Sequence, residues 1–312
     1  MNEISKNILE QVNSVIIGKE AVTEKVLMAV LAQGHVLLED VPGVGKTTMA
    51  LAFARTLGLD SRRVQFTSDT MPSDIIGFSL YNKETGRFDY KSGAVMTNLL
   101  LADEINRTSS KTQSALLEAM EEYQVTVDGH TYPLPRPFVV LATQNPVGSA
   151  GTQLLPSSQL DRFMIRTTMG YPDRQSQVDI LRERHHENPL DRLQGVVTCE
   201  ELLGLIESAK QVHIADAVYD YIVELVDATR SSELVELGVS PRGALALCRM
   251  AKAHAFVRGG DFVTPEDVYE VFDDVCAHRL VLSAKARLGK ITAREITAQL
   301  RQQVKIPQVA QL

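Results

Sequence analysis

The sequence predicts a three-layer α/β domain built on a parallel sheet, followed by a smaller all-helical domain. Three observations carry that prediction. Short apolar runs alternate with helical patterns through the first half, one such run leads into a glycine-rich loop that opens a helix, and strand signals nearly vanish after Tyr171-Pro172. The strand candidates are residues 35–39, 63–66, 99–103, 138–143 and 163–168, several of them apolar almost throughout, as strands covered on both faces are. Helical patterns lie between them at 20–33, 46–57 and 111–123, with Leu116, Leu117 and Met120 as an apolar stripe in the last.

Two segments interrupt this plan as β-hairpins. One is 78–90, with residues 82–86 as its turn; the other is 124–134, where Val125 and Val127 alternate into an Asp128-Gly129 turn. Beyond Tyr171-Pro172 helices are expected at 174–185, 199–208, 215–230, 241–257, 265–281 and 293–304, with Ser240-Pro241 and Thr264-Pro265 as N-terminal caps. The predicted division is a core over residues 1–189, with inserted hairpins at about 78–93 and 124–137, and a helical domain over 190–312.

Composition narrows the function classes. The 312 residues are 44% hydrophobic and 23% charged, an ordinary globular balance with ample material for a core. Net charge is −7 with acids and bases interleaved, and aromatics are 5%, which disfavours a nucleic-acid surface. Cys199, Cys248 and Cys276 show no ligand spacing and read as reduced thiols; His185-His186 diverge on a helix and make a poor metal pair. The N-terminus lacks the apolar core of a signal peptide, and the longest apolar stretch, 26–32, is too short to span a bilayer. A cytoplasmic protein without membrane insertion is the expectation.

The most informative segment is Asp40-Val-Pro-Gly-Val-Gly-Lys-Thr47. Glycines let a loop fold back so that several backbone N–H groups converge on one anion, and the following helix adds its positive dipole end. Lys46 can reach the β- and γ-phosphates of a nucleotide, and the Thr47 hydroxyl can ligate Mg²⁺. Asp40 stands where the usual pattern has glycine, and an aspartate is less free to take positive φ.

Further residues fit the same chemistry. The apolar run 98–102 ends in Asp103 and Glu104, placed to hold a metal's shell and to polarise an attacking water. A second apolar run ends at Asn145, which can orient that water or simply begin a turn before Pro146. Arg162, just before the next strand, can project across a subunit interface or pair with Asp161 at the surface. Arg242 opens a helix of the second domain, from which it can reach down to bound phosphates.

In this order the pieces resemble an AAA+ ATPase, and most of all the MoxR family. The blocks that carry the resemblance are Leu37-Leu-Glu-Asp-Val-Pro-Gly-Val-Gly-Lys-Thr47, Gln65-Phe-Thr-Ser-Asp-Thr-Met-Pro-Ser-Asp-Ile-Ile-Gly77, Leu100-Leu-Ala-Asp-Glu-Ile-Asn-Arg107, the run 111–122, Ala142-Thr-Gln-Asn-Pro146 and Gln159-Leu-Asp-Arg-Phe163. The resemblance implies a five-stranded AAA+ core and a helical lid. It implies a nucleotide set of Ile17, Gly18, Pro42, Gly43, Val44, Gly45, Lys46, Thr47 and Thr48, with Thr47 and Asp103 on Mg²⁺. Lys46 and Thr47 fall in Walker A and Asp103 and Glu104 in Walker B, Asn145 becomes sensor 1, Arg162 the arginine finger and Arg242 sensor 2, and the hairpins become the insertions of the helix-2-insert branch. Asp40 also occurs in that branch.

The function implied is Mg-ATP hydrolysis at interfaces of a ring, by resemblance a hexamer. It would drive chaperone-like maturation of protein complexes, often with a von Willebrand factor A domain partner. A chelatase-type motor and a nucleic-acid translocase share the branch. The second needs basic hairpin tips, for which Lys83 and Arg87 are a modest start. A scaffold with little turnover is disfavoured by the presence of both Glu104 and Asn145.

Overall fold

The computed structural model describes residues 1–41, 43–145, 155–183 and 188–307. Along the chain run α1 (Glu3–Asn13), α2 (Glu20–Leu31), β1 (Val36–Glu39), α3 (Lys46–Thr56), β2 (Ser61–Gln65), α4 (Pro72–Ile76), β3 (Gly77–Asn82), β4 (Arg87–Ser92) and β5 (Leu99–Asp103). There follow α5 (Ser110–Glu122), β6 (Gln124–Val127), β7 (His130–Pro133), β8 (Val139–Gln144), α6 (Ser157–Leu160), β9 (Ile165–Thr167) and α7 (Arg174–Glu183). The remainder is α8 (Cys199–Gln211), α9 (Asp216–Ser231), β10 (Val235–Leu237), α10 (Pro241–Arg258), α11 (Pro265–Cys276), β11 (Val281–Leu282), α12 (Ala284–Leu288) and α13 (Ala293–Gln303).

Five strands form one parallel sheet in the order β2-β5-β8-β1-β9. Alternation along each strand explains the layers. Val36, Leu38, Leu99, Leu101, Val139 and Leu141 face a core shared with α1, α2, α3 and the later helices. Their neighbours Leu37, Leu100, Ala102, Val140 and Ala142 face the other way, against Phe66, Leu116, Leu117, Phe138 and Phe163. Both faces are therefore dry, which is why these strands read as continuous apolar runs.

The hairpins form as expected. β3 pairs with β4 around a turn closed by the Gly86 N–H on the Asn82 carbonyl at 2.9 Å. β6 pairs with β7 around Asp128 and Gly129, both at positive φ, the backbone a tight hairpin turn requires. Tyr90 and Tyr132 stack at 4.0 Å and tie the two hairpins together.

Ser240 and Thr264 cap α10 and α11 with proline in the first turn, as predicted. The helix expected over 265–281 is shorter: it stops at Cys276, passes through a 3₁₀ turn at Ala277–Arg279 and ends in β11, which pairs with β10. The cause is non-local, because Arg279 turns inward to partners 115–118 residues earlier in the chain. No helix among the described residues is long and apolar enough to cross a membrane.

Candidate active site

Four strand ends meet at the carboxyl edge of the sheet. β1 hands Asp40 to the glycine loop, β2 ends at Gln65, β5 at Asp103, and β8 at Gln144 just before Asn145. The register aligns Gln65 with Asp103 and Glu39 with Gln144, so these ends share one rim.

The loop leads into α3 through Gly45, whose φ of 97° would strain any side chain, and no side chain caps the first turn. Uncapped N–H groups at a helix start are a ready anion site. Lys46 is buried and donates Nζ to the carbonyls of Asp40 at 2.8 Å and Val41 at 3.4 Å. Burial pushes its ammonium below the ordinary range, while the charges of Asp40, Asp103 and Glu104 work the other way. Thr47 and Thr48 are half-buried in the same turn, Val44 packs on the main core, and Pro42 lies outside the described residues.

Asp40 does not take positive φ, so the missing glycine costs nothing here. Its carboxylate instead accepts from the N–H groups of Met169 and Gly170, the latter at 3.1 Å, fastening the loop to the chain beyond β9. The N–H of Asp40 itself reaches the Gln144 carbonyl at 3.2 Å.

Beside the loop the two carboxylates are held by different hands. Asp103 accepts from the Thr143 hydroxyl at 2.7 Å on one oxygen and from Arg63 Nη2 at 2.7 Å on the other. Glu104 sits at φ 57°, a left-handed backbone that costs a residue with a side chain about 1–3 kcal/mol. Its N–H rests on the Thr143 hydroxyl at 2.8 Å. Its side chain accepts from Asn145 Nδ2 at 3.0 Å, Gln65 Nε2 at 2.8 Å and Arg107 Nη1 at 2.8 Å. Burial opposes its charge, but hydrogen bonds from Arg107, Asn145 and Gln65 outweigh it and hold the carboxyl below the usual range.

Asn145 is bracketed by Asn106, which donates to its carbonyl at 3.3 Å and accepts from its N–H at 3.4 Å. Its amide oxygen is buried without a hydrogen-bond partner among the described residues. A buried lysine resting on its own loop's carbonyls and an uncapped helix start suit a phosphate-bearing ligand, while the orphaned amide oxygen of Asn145 suits a donor such as a bound water.

Gly18 has φ 71°, and a Cβ there would sit 2.2 Å from Ser176 Oγ at the start of α7. Close packing of the segment holding Ile17 and Gly18 on α7 thus accounts for the glycine.

Arg162 and Arg242 are elsewhere. Both bind one carboxylate, Glu121 at the end of α5: Arg162 Nε at 3.1 Å on one oxygen, Arg242 Nη2 on the other. They line a cavity of about 130 Å³ with Gly34 and His35, just before β1, and with Met164, just before β9. This is the amino edge of the sheet. The glycine loop follows the other end of β1, so at least a strand length, about 13 Å, intervenes. Arg242 thus lies at the rim opposite its own chain's glycine loop. The alternative pair of Arg162 with Asp161 is absent: Asp161 is taken by Arg279 at 2.8 Å.

Comparison with known proteins identifies the family. Residues 35–165 match the model of the ATPase family associated with various cellular activities, and 227–300 that of the AAA lid domain. Chaperone MoxR1 of Mycobacterium tuberculosis is 41% identical over 96% of this chain and 81% of its own length. The chain belongs to the MoxR family of AAA+ ATPases.

An uncharacterised Bacillus subtilis protein, YeaC, is 47% identical over 96% of this chain and 93% of its own. A crystal structure from Cytophaga hutchinsonii, described as a candidate ATPase, superposes with a TM-score of 0.90 at 39% identity, covering 97% of this chain and 94% of that one. As a MoxR-family AAA+ protein the chain is a nucleotide-binding ATPase with a P-loop core and a helical lid. Thr143, Gln65, Asn106 and Arg107 of this MoxR-family site were not anticipated. All four lie inside the blocks quoted above, and Thr143 differs from a plain strand residue only by its hydroxyl. His185 and His186 fall outside the described residues; among the described residues no cluster of three or more His, Cys, Asp or Glu is placed to hold a metal.

Proposed function

We propose that this ATPase works in a head-to-tail ring, with each nucleotide held by one chain and completed by its neighbour. The observation that carries the reading is the opposition of rims: Lys46, Asp103, Glu104 and Asn145 at the carboxyl edge, Arg162 and Arg242 at the amino edge on Glu121. A chain whose arginines sit a strand length from its own loop can use them only on a second copy.

In this reading the N–H groups of Gly43, Val44, Gly45 and the first turn of α3 cradle the phosphates, and Lys46 leaves its loop carbonyls for the β- and γ-oxygens. Thr47 and Asp103 would hold Mg²⁺, which would supply charge neutralisation to the phosphates. Glu104, kept ionised by its donors, accepts the proton of the attacking water. Asn145 uses its unpartnered oxygen to orient that water, while its Nδ2 aligns Glu104. Arg162 and Arg242 of the neighbour stabilise charge on the leaving phosphates. Ile17 and Gly18, whose segment packs against α7, are the adenine-side wall.

The wider reading has hydrolysis shift the helical lid, divided from the core near residue 190, and the two hairpins, so as to remodel protein clients. It includes a hexamer, a von Willebrand factor A domain partner and a cytoplasmic setting, which suits three free cysteines. The name of the Mycobacterium tuberculosis relative supports the chaperone part. A chelatase-type motor or a nucleic-acid translocase is the competing reading, and hydrolysis strongly stimulated by single-stranded DNA would favour the translocase. The central test is a pair of substitutions. Lys46→Ala should abolish binding of a fluorescent ATP analogue, whereas Glu104→Gln should keep binding and lower kcat by about 10²–10⁴-fold. Undiminished binding in the first, or normal turnover in the second, would remove the site.

A further inference from the structure

Arg279 is the most heavily engaged side chain outside the nucleotide site. Only 2% of it is exposed, yet it is an arginine in a short 3₁₀ turn of the helical half. Its Nε donates to Asp161 Oδ1 at 2.8 Å, and Nη2 donates to the carbonyls of Asp161 at 3.2 Å and Phe163 at 2.7 Å. Nη1 donates to the Met164 carbonyl at 3.2 Å and to that of Val275. The guanidinium thus grips residues 161–164, the segment that carries Arg162.

The same network reaches Arg242. The second oxygen of Asp161 accepts from the Ser240 hydroxyl at 2.8 Å, and Ser240 is the N-cap of α10, whose first turn bears Arg242. Gly243 in that turn leaves room for the arginine's stem: a Cβ there would lie 2.8 Å from Arg279 Cδ. A planar fork spanning an acid and several carbonyls is a task for arginine, which lysine's single ammonium cannot repeat.

We propose that Arg279 is a positioning residue that sets Arg162 and Arg242 as one rigid pair for the neighbouring chain's nucleotide. The inference rests on the cross-subunit reading above and deepens it. Arg279 touches no substrate; it acts through the loop at 161–164 and the cap of α10. A buried arginine that merely stabilised its own chain would damage that chain's own nucleotide site or its folding. A positioning residue leaves both intact and starves the neighbour.

The test uses Arg279→Lys and, as a milder change at the same joint, Asp161→Asn, each checked for a folded far-ultraviolet spectrum. Each should bind the ATP analogue like the parent while kcat falls about 10–100-fold, the scale of an ångström-sized misplacement. Each variant is then mixed with Lys46→Ala chains, which hold no nucleotide but carry an intact arginine edge. Turnover above the sum of the separate samples is expected, with Arg162→Ala plus Lys46→Ala as the control. Rescue of the control but of neither Arg279→Lys nor Asp161→Asn overturns the proposal. Failure of the control itself overturns the cross-subunit reading instead. Normal kcat in both folded variants would also overturn the proposal.

Discussion

The two rims of the sheet differ in how their charge is balanced. At the carboxyl edge Asp40, Asp103 and Glu104 meet Lys46, Arg63 and Arg107, with Arg63 on Asp103 and Arg107 on Glu104. At the amino edge Arg162, Arg242, Arg249 and Arg279 line one cavity with only Glu121 and Asp161 among them. One rim balances three acids with three cations around an open helix start, whereas the other gathers four arginines about two acids. Within this chain the parallel strands hold the two rims apart, and the proposed ring would bring them together.

The sharpest way to break this contrast is at the amino edge. Arg162→Ala should leave analogue binding untouched and cut kcat by about 10³–10⁵-fold, as arginine fingers do. Retained turnover, measured by phosphate release, would mean that the two rims do not cooperate. A smaller effect separates the rims by pH. His35 at the amino edge is enclosed between the Met120 carbonyl and the Val140 N–H, each at 3.0 Å. Burial above all, with the charge of Arg249 in support, brings its pKa down from 6.5 to about 4. The unfolded chain then binds the extra proton between those values, so stability is complete above pH 6.5 and declines as pH falls toward 4. The loss should be about 3 kcal/mol. Urea titrations at several pH values would read it, and a His35→Gln chain with the same pH slope would assign the loss elsewhere. The smallest effect belongs to the carboxyl edge. Asn145→Ala removes one donor from Glu104, so its carboxyl titrates higher and the acidic limb of the kcat profile moves up in pH. An unmoved limb would detach Asn145 from Glu104.

Much of this was readable from the chain. The strand Leu99–Asp103 was located to the residue, because an apolar run closed by two acids has only one sensible reading, and the glycine loop with Lys46 announced its own chemistry. What escaped depended on distance along the chain. Glu121 is one acid of several on an amphipathic helix, and nothing local marks it as the meeting point of Arg162 and Arg242. Arg279 interrupts an otherwise helical pattern for the sake of partners more than 100 residues away. The β10–β11 ladder, two and three residues long, is too brief to leave a periodic signal. By contrast α1 was legible and overlooked: Ile8, Leu9 and Val12 fall on one buried helical face.

Asp40 offers a last lesson about economy of position. Its main-chain oxygen serves Lys46, while its side chain serves the backbone at Met169 and Gly170 on the way out of the sheet. Restoring the glycine found at this place in most such loops would preserve the first service and delete the second. One codon thus holds two roles that can be pulled apart: keeping the cradle in shape, and mooring it to the strap that leads toward the helical half.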